Sequence, residues 1–393
     1  MRLNPVMLAT DAPPIPEAKR WLDGVTFPPE RPLLNVSQAA PVDPPPETLR
    51  RAIAEAALND AESHLYGSVL GMDDLRAEVA ANWSAHYGGH VAPGQVAITA
   101  GCNQAFVAVM ATLAGHGDEV ILPTPWYFNH KMWLDMTGVR TVALPCDTAM
   151  IPHAGDAEAL ITDRTRAIVL VTPNNPTGAE YPPETLAAFR DLARARGIAL
   201  VVDETYRDFH SRPGAPHDLI ADPDWDDTVI SLYSFSKTYR LTGHRVGAAI
   251  ASSKLLREME KFQDTAIICA NMLGQKAALW GMRNLSQWVA GERAEILDRR
   301  AAVEDHIGPL AGWDILGLGA YFAFVSHPFD APSDTVARRL VQEAGVLALP
   351  ATMFAPEGDP ICAKGLRIAF ANIDRSQIAE LARRLAAMTP ERA

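Results

Sequence analysis

The sequence predicts an α/β protein with two parts: a large domain whose mostly parallel seven-stranded sheet is sandwiched by helices, and a smaller α+β domain after it. Three observations carry this expectation. The chain has 393 residues, of which 48% are apolar types, more than one small core requires. From Val96 onward, short apolar runs alternate with helix-length segments. Several of these runs are continuously apolar rather than alternating, the pattern of strands covered on both faces.

Taken in order, residues 1–47 carry Pro13, Pro14, Pro16, Pro28, Pro29, Pro32 and Pro44 to Pro46. Such density disfavours both helix and ladder and predicts an extended arm contributing to the smaller domain. Trp21, Phe27, Leu33 and Leu34 give that arm reason to pack rather than hang in water. A helical pattern starts near Thr48 and opens the large domain, expected over residues 48–289. Its strands are read as Val96–Thr99, Glu119–Leu122, Thr141–Leu144, Ala167–Val171, Ile198–Val202, Thr228–Leu232 and Val246–Ala251. Between the fourth and fifth, Pro182 and Pro183 open a helix, Leu186, Phe189 and Ala193 recur at 3/4 spacing, and Gly197 closes it. Helices separating strands in this way imply parallel crossovers. The stretch Ser253–Arg300 is helical and charged, and residues 290–393 form the smaller domain. There Ala320–Val325 and Leu366–Phe370 read as strands, and Ile378, Leu381, Leu385 and Met388 form one stripe of a last helix.

Thirty-five Lys and Arg against 47 Asp and Glu give a net charge of −12, a field that repels polyanions. Nucleic acid and anionic membrane surfaces are therefore not expected partners. The apolar piece Val6–Ala9 is too short for a signal-peptide core, and no run approaches a membrane span. Cys102, Cys146, Cys269 and Cys362 form no Cys-x-x-Cys pair, which points to the reducing cytoplasm. No metal site is expected, since the spacing of His130 and His244 resembles none, and both read as wall residues.

In open α/β sheets ligands bind beyond the carboxyl ends of the strands, so the residues just after each run matter most. After Thr99 comes Ala100-Gly101-Cys102-Asn103 and an apolar helix, whose first N–H groups and dipole suit a phosphate. A helix N-terminus would lower the thiol pKa of Cys102, although its backbone amide is the expected contribution. After Val171 comes Thr172-Pro173-Asn174-Asn175-Pro176-Thr177-Gly178, a tight turn. Asp203-Glu204-Thr205-Tyr206 ends the next strand, and an acid buried there requires a cationic or donor partner. Ser234-Phe235-Ser236-Lys237 follows, with Arg245 eight positions beyond the lysine. A strand-end lysine can form a Schiff base with a carbonyl cofactor. Serines, an arginine and helix amides hold a phosphate monoester. A buried carboxylate paired with a protonated ring nitrogen is what pyridoxal phosphate requires, and these strand ends fit that cofactor better than any other common one.

The ordered set Asn175-Pro176-Thr177-Gly178, Asp203-x-x-Tyr206, Ser234-x-Ser236-Lys237 with Arg245, and Gly365-Leu366-Arg367-Ile368 resembles the class I/II aminotransferases of the fold-type-I pyridoxal phosphate enzymes. The resemblance runs from about Thr48 to the C-terminus. It implies transfer of an amino group between an L-amino acid and a 2-oxo acid, by a ping-pong mechanism through pyridoxamine phosphate. By the resemblance, Lys237 is the Schiff-base lysine and the general base and acid, and Asp203 keeps the pyridine nitrogen protonated. Asn175 and Tyr206 bond the 3′-oxygen. Ser234, Ser236, Arg245 and the amides of Cys102 and Asn103 hold the phosphate. Tyr127 stacks on the ring, with Trp126 as the neighbouring candidate. Tyr66 reaches the partner subunit's phosphate, and Arg367 grips the substrate carboxylate. A homodimer with shared active sites is implied.

Two departures from the family pattern bear on the pocket. Where many members have Gly-x-Pro near the substrate carboxylate, this chain reads Ser37-Gln38-Ala39-Ala40-Pro41, so Ala39 stands at a slightly different pocket floor. Where dicarboxylate-specific relatives place a second arginine, Asn271 to Lys276 contains none. A C–S β-lyase or decarboxylase on the same scaffold would use the same lysine and ring-nitrogen partner. A non-catalytic effector-binding domain would carry a basic helix-turn-helix module ahead of the fold, and the arm here is neither basic nor long enough.

Overall fold

The computed structural model describes residues 1–388. At its centre lie β1 (Val96–Thr99), β2 (Glu119–Thr124), β3 (Arg140–Pro145), β4 (Thr165–Val171), β5 (Ala199–Asp203), β6 (Val229–Ser234) and β7 (Gly247–Ile250). Their spatial order is β1-β7-β6-β5-β4-β2-β3. β7 runs antiparallel to both of its neighbours, and the remaining pairs are parallel. The continuous apolar runs now have a physical reason. The pleat sends alternate residues to opposite faces, so Val169 and Val201 enter a core with Ala105, Val109 and Met259. Leu170 and Val202 enter a second core with Val79, Trp83 and Phe189. Both faces are dry, so neither can be polar.

The helix after β1 spans Cys102–Leu113 and begins directly at Gly101, whose φ of 89° a side chain would resist. The helix Pro183–Arg196 starts with proline in its first turn and ends at Gly197 in the left-handed region, as its sequence predicts.

A second sheet is antiparallel and built from β8 (Asp314–Gly319), β9 (Phe322–Ser326), β10 (Leu349–Pro350) and β11 (Gly365–Ala369), in the order β10-β11-β9-β8. Its core takes Phe322, Val325, Leu366 and Ile368 together with Ile378, Leu381 and Leu385 of the helix Arg375–Ala386. The long helix Ser286–His306 passes through positions 289 and 290 and packs along that last helix. Leu34–Asn35 adds a short parallel pairing with Val346–Leu347, which brings the N-terminal segment onto this part of the molecule. Among the described residues no helix is long and apolar enough to cross a membrane.

Two local expectations are corrected. Residues 1–47 are not simply extended, because Pro5–Ala9 and Pro14–Arg20 are short helices. Proline opens each of them, at positions whose N–H groups have no intrahelical partner, so its missing donor costs nothing there. Ala320 and Tyr321 belong to the turn between β8 and β9 rather than to a strand, and Ala320 has φ 44°.

β8 was obscured in the sequence by its glycines, and these position the site. A Cβ on Gly317 would stand 2.6 Å from the Thr177 carbonyl oxygen, and one on Gly319 would collide with the Gly178 carbonyl. The hairpin of the small sheet therefore lies backbone against backbone on the turn that carries Asn175. Gly317→Ala should overpack this contact, at a cost of about 1–3 kcal/mol, read as a lower midpoint in chemical denaturation; an unchanged midpoint would contradict the close approach.

Candidate active site

Turns beyond the carboxyl ends of the parallel strands open on a cleft of about 480 Å3, a volume that accommodates a small cofactor and substrate. Ala39, Cys102, Asn103, Tyr127, Asn175, Asp203, Tyr206, Ser234, Ser236, Lys237, Arg245 and Arg367 all line it. Tyr66 does not, and stands 80% exposed on the outer surface. Trp126 is directed away from the cleft into the core beneath it, leaving Tyr127 as the aromatic on its wall.

Asp203 ends β5 and is buried. Burial alone raises the pKa of a carboxyl group. Here the hydrogen bond and electrostatic attraction of His130, with hydrogen bonding from Thr205, outweigh that effect and hold Asp203 below the usual carboxylate range. His130 Nε2 lies 3.3 Å from Oδ2, and the Thr205 backbone N–H donates to Oδ1 at 3.0 Å. Cys102 Sγ lies 3.6 Å from the same oxygen. The expectation of a lowered Cys102 pKa is corrected: burial and the Asp203 charge raise it well above normal. Its thiol remains protonated beside the carboxylate.

Lys237 follows β6 in the short helix Phe235–Thr238. Its Nζ donates to the Ala39 carbonyl at 2.7 Å and lies 5.9 Å from the Tyr206 ring centre. Desolvation, then the charges of Arg245 and Arg367, push its pKa down to about 8. Tyr206 is fixed by Phe322 and Tyr321, with ring centres 5.2 and 5.3 Å away.

Arg245 Nη1 lies 3.4 Å from Ser236 Oγ and donates to the Thr242 carbonyl at 3.0 Å. The backbone of Arg245 has φ 52°, a costly conformation for a non-glycine residue. Gly101 has φ 89°, and a Cβ there would fall 2.9 Å from the guanidinium carbon, so glycine lets the helix start approach this arginine without strain. Together the first N–H groups of that helix, Ser234, Ser236 and Arg245 form a cradle of donors with the chemistry of a phosphate site.

Arg367 is central in the small sheet, on β11, and fully enclosed. Burial lowers its pKa to about 10, which leaves it charged at neutral pH. Its Nη1 donates to Asn175 Oδ1 at 3.0 Å, its Nη2 donates to the Ser37 carbonyl, and its Nε has no partner among the described residues. A buried guanidinium held by neutral oxygens, with one donor unused, is matched to an incoming carboxylate.

Sequence reasoning missed several contributors. His130, expected from the sequence to be a wall residue, supports Asp203 and is itself held by Phe106, stacked at 3.9 Å. No local pattern joins it to Asp203, because the two meet only through the packing of the helix Phe128–Thr137 on β3 and on the helix Cys102–Leu113. Thr205, Thr242 and the N-terminal Pro13, Ile15 and Pro16 also line the cleft. Lys276, which ends the Asn271–Lys276 stretch without arginine, is ion-paired with Asp60.

The arrangement fits pyridoxal phosphate: a donor cradle for the phosphate, an ionised carboxylate for the ring nitrogen, and a lysine whose amine is readily neutral. The pH dependence follows from the sign of the lysine shift. A cation with a lowered pKa is the neutral nucleophile above that value, so capture of pyridoxal phosphate by apoprotein, followed by visible absorbance, should accelerate from pH 6 to 9 with its midpoint about 8. Arg367→Ala removes one of the depressing charges and should move the midpoint upward. A wild-type midpoint at the ordinary lysine value would contradict this electrostatic account.

Comparison with known proteins agrees with this geometry. The chain is 27% identical to an aromatic aminotransferase of Arabidopsis thaliana, over 96% of this chain and 94% of that protein. It is 26% identical to an aspartate aminotransferase of Sulfolobus acidocaldarius, over 81% of each. Its fold is shared with the Thermus thermophilus aspartate aminotransferase solved with maleate, at a TM-score of 0.88 and 23% identity, covering 98% of this chain and 99% of that one. A family model described as aminotransferase class I and II matches residues 31–385. The chain thus belongs to the class I and II aminotransferases, a pyridoxal phosphate-dependent family.

Proposed function

We propose that this cleft moves an amino group from an L-amino acid to a 2-oxo acid in two half-reactions, with Lys237, Asp203 and Arg367 as the acting residues. The observation that carries the reading is the assembly of an ionised buried carboxylate, a lysine with its pKa lowered to about 8, and an enclosed arginine in one cleft. When bound, pyridoxal phosphate supplies the electron sink for the bond broken at the substrate Cα.

The chain's own residues do the rest. Ser234, Ser236, Arg245 and the amides of Cys102 and Asn103 would hold the phosphate. Asp203, supported by His130 and Thr205, would accept the ring N–H and keep that nitrogen protonated. Asn175 and Tyr206 would bond the ring oxygen, and Tyr127 would stack on the ring. Arg367, oriented by Asn175 and the Ser37 carbonyl, fixes the substrate carboxylate, which leaves the Cα hydrogen within reach of Lys237. Nζ of Lys237 then takes the Cα proton and returns one as the general acid. The Ala39 carbonyl, 2.7 Å from Nζ, orients the amine.

The same reading extends to a homodimer. Leu58, Leu65, Tyr66 and Ile268 are exposed apolar side chains. They belong to adjoining segments, since the turn Ala61–His64 packs on the helix Met272–Asn284 and the Gly67 N–H meets Cys269 Sγ. Such a surface favours a second copy of the chain, and Tyr66 upon it would reach the partner's phosphate. Four unpaired cysteines support a cytoplasmic location.

Lys237→Ala should still bind pyridoxal phosphate but lose the lysine-dependent visible band and lower turnover by at least about 10²–10⁴-fold, the scale of general acid–base catalysis. Arg367→Ala should keep that band and raise KM for the amino acid by about 10- to 100-fold, matching the loss of hydrogen bonds to a charged group. Retained turnover in the first variant, or an altered band with unchanged KM in the second, would overturn the corresponding role.

A further inference from the structure

The carboxylate end of the substrate is placed by Arg367, and the surroundings of that arginine indicate where the side chain goes. The Arg367 guanidinium carbon lies 5.0 Å from the ring centre of Phe354. Phe354 is 5.6 Å from Phe128, which is 5.1 Å from Tyr127. Ile15, from the short helix Pro14–Arg20, packs into the same apolar cluster as Phe128 and Phe354. Pro13, Ile15 and Pro16 line the same cleft as Lys237 and Arg367. Phe128 and Ile15 therefore give the cleft an apolar patch, backed by the buried Phe354 that also packs against Arg367.

Among the described residues, this chain places no charged side chain of its own on that patch. Among the described residues lining the cleft, the ionised groups are Asp203, Lys237, Arg245 and Arg367, and each already serves the cofactor or the carboxylate in the reading above. The polar members near the patch, Gln38 and Asn129, are neutral, and Asn129 Nδ2 donates to the Tyr127 hydroxyl at 2.9 Å. Two lysines outside the cleft are occupied: Lys131 by Asp135 at 2.5 Å, and Lys276 by Asp60. A carboxylate or ammonium pressed against Phe128 and Ile15 would exchange its hydration for apolar surface. A hydrocarbon or thioether side chain would exchange water for matching contacts.

We propose that the amino-acid substrate carries a neutral, apolar side chain, and that Ile15 and Phe128 are the residues that select it. This rests on the aminotransferase reading and assigns the part of the cleft that reading leaves open.

The test uses the holoenzyme and two separate readouts. In the first, leucine, methionine and phenylalanine are compared with aspartate, glutamate and lysine as amino donors. The apolar group should exceed aspartate in kcat/KM by at least about 100-fold, since even one methylene discriminates by about 10- to 200-fold in an apolar pocket. The second measures calorimetric binding of unreactive carboxylates, 4-methylpentanoate against succinate, and does not depend on turnover. The monocarboxylate should bind at least about tenfold more tightly, and Ile15→Arg should narrow or reverse the difference by supplying a cation. Tighter binding of succinate, or a preference for aspartate with turnover intact, would overturn the side-chain assignment alone. Absence of turnover with every donor, while the binding preference persists, would overturn the aminotransferase reading and uphold the apolar selection.

Discussion

Asp203 is a carboxylate that remains ionised with only 3% of its surface exposed, and the rest of the site is arranged around keeping it so. Left alone, burial would neutralise it. It is held by His130 and the Thr205 N–H, and these partners place demands on distant parts of the chain. His130 must be presented by the helix Phe128–Thr137 and pinned by Phe106 of the helix Cys102–Leu113. The first turn of that same helix faces Arg245, so the support of the carboxylate and the phosphate cradle are built from shared elements. Arg245 and Arg367, in the same cleft, join desolvation in depressing the Lys237 pKa.

The pleat of one strand separates two functions. Asp203 faces the cleft, and its neighbour Glu204 faces the other core, where it meets Tyr87, His217 and Ser231. Burial would raise the Glu204 pKa, but His217, Arg207 and Ser231 outweigh it and bring it down to about 2. Beyond it Asp208 accepts from Tyr233 at 2.6 Å and from Thr238 at 2.7 Å, and Thr238 is next to Lys237. The turn from residue 203 to 208 thus serves the cleft with Asp203 and Tyr206 and anchors itself, and the lysine helix, from behind.

Much of this was legible in the sequence because the fold class leaves a strong trace. Strands covered on both faces are largely apolar, so the runs of the central sheet were visible, and Asp203 and Lys237 stand at or just beyond the ends of two of them. What stayed hidden depends on packing between distant segments. His130 gains its meaning only from the approach of its helix to β5. β8 was masked by Gly317 and Gly319, glycines required by contact with the Asn175 turn rather than by strand formation. The short N-terminal helices were hidden because proline both forbids helix interiors and favours helix starts. The net charge of −12 likewise described the exterior alone, since affinity for a phosphate and a carboxylate is set locally by arginines and helix amides.

The central claim is that the buried Asp203 charge holds the cofactor ring nitrogen protonated. It is tested most directly by nitrogen NMR of the holoenzyme loaded with ring-15N pyridoxal phosphate. The account predicts a protonated ring nitrogen across neutral pH in the wild type and an unprotonated one in Asp203→Asn, with His130→Phe shifting the protonation toward lower pH. A ring nitrogen that stays protonated in Asp203→Asn would contradict it.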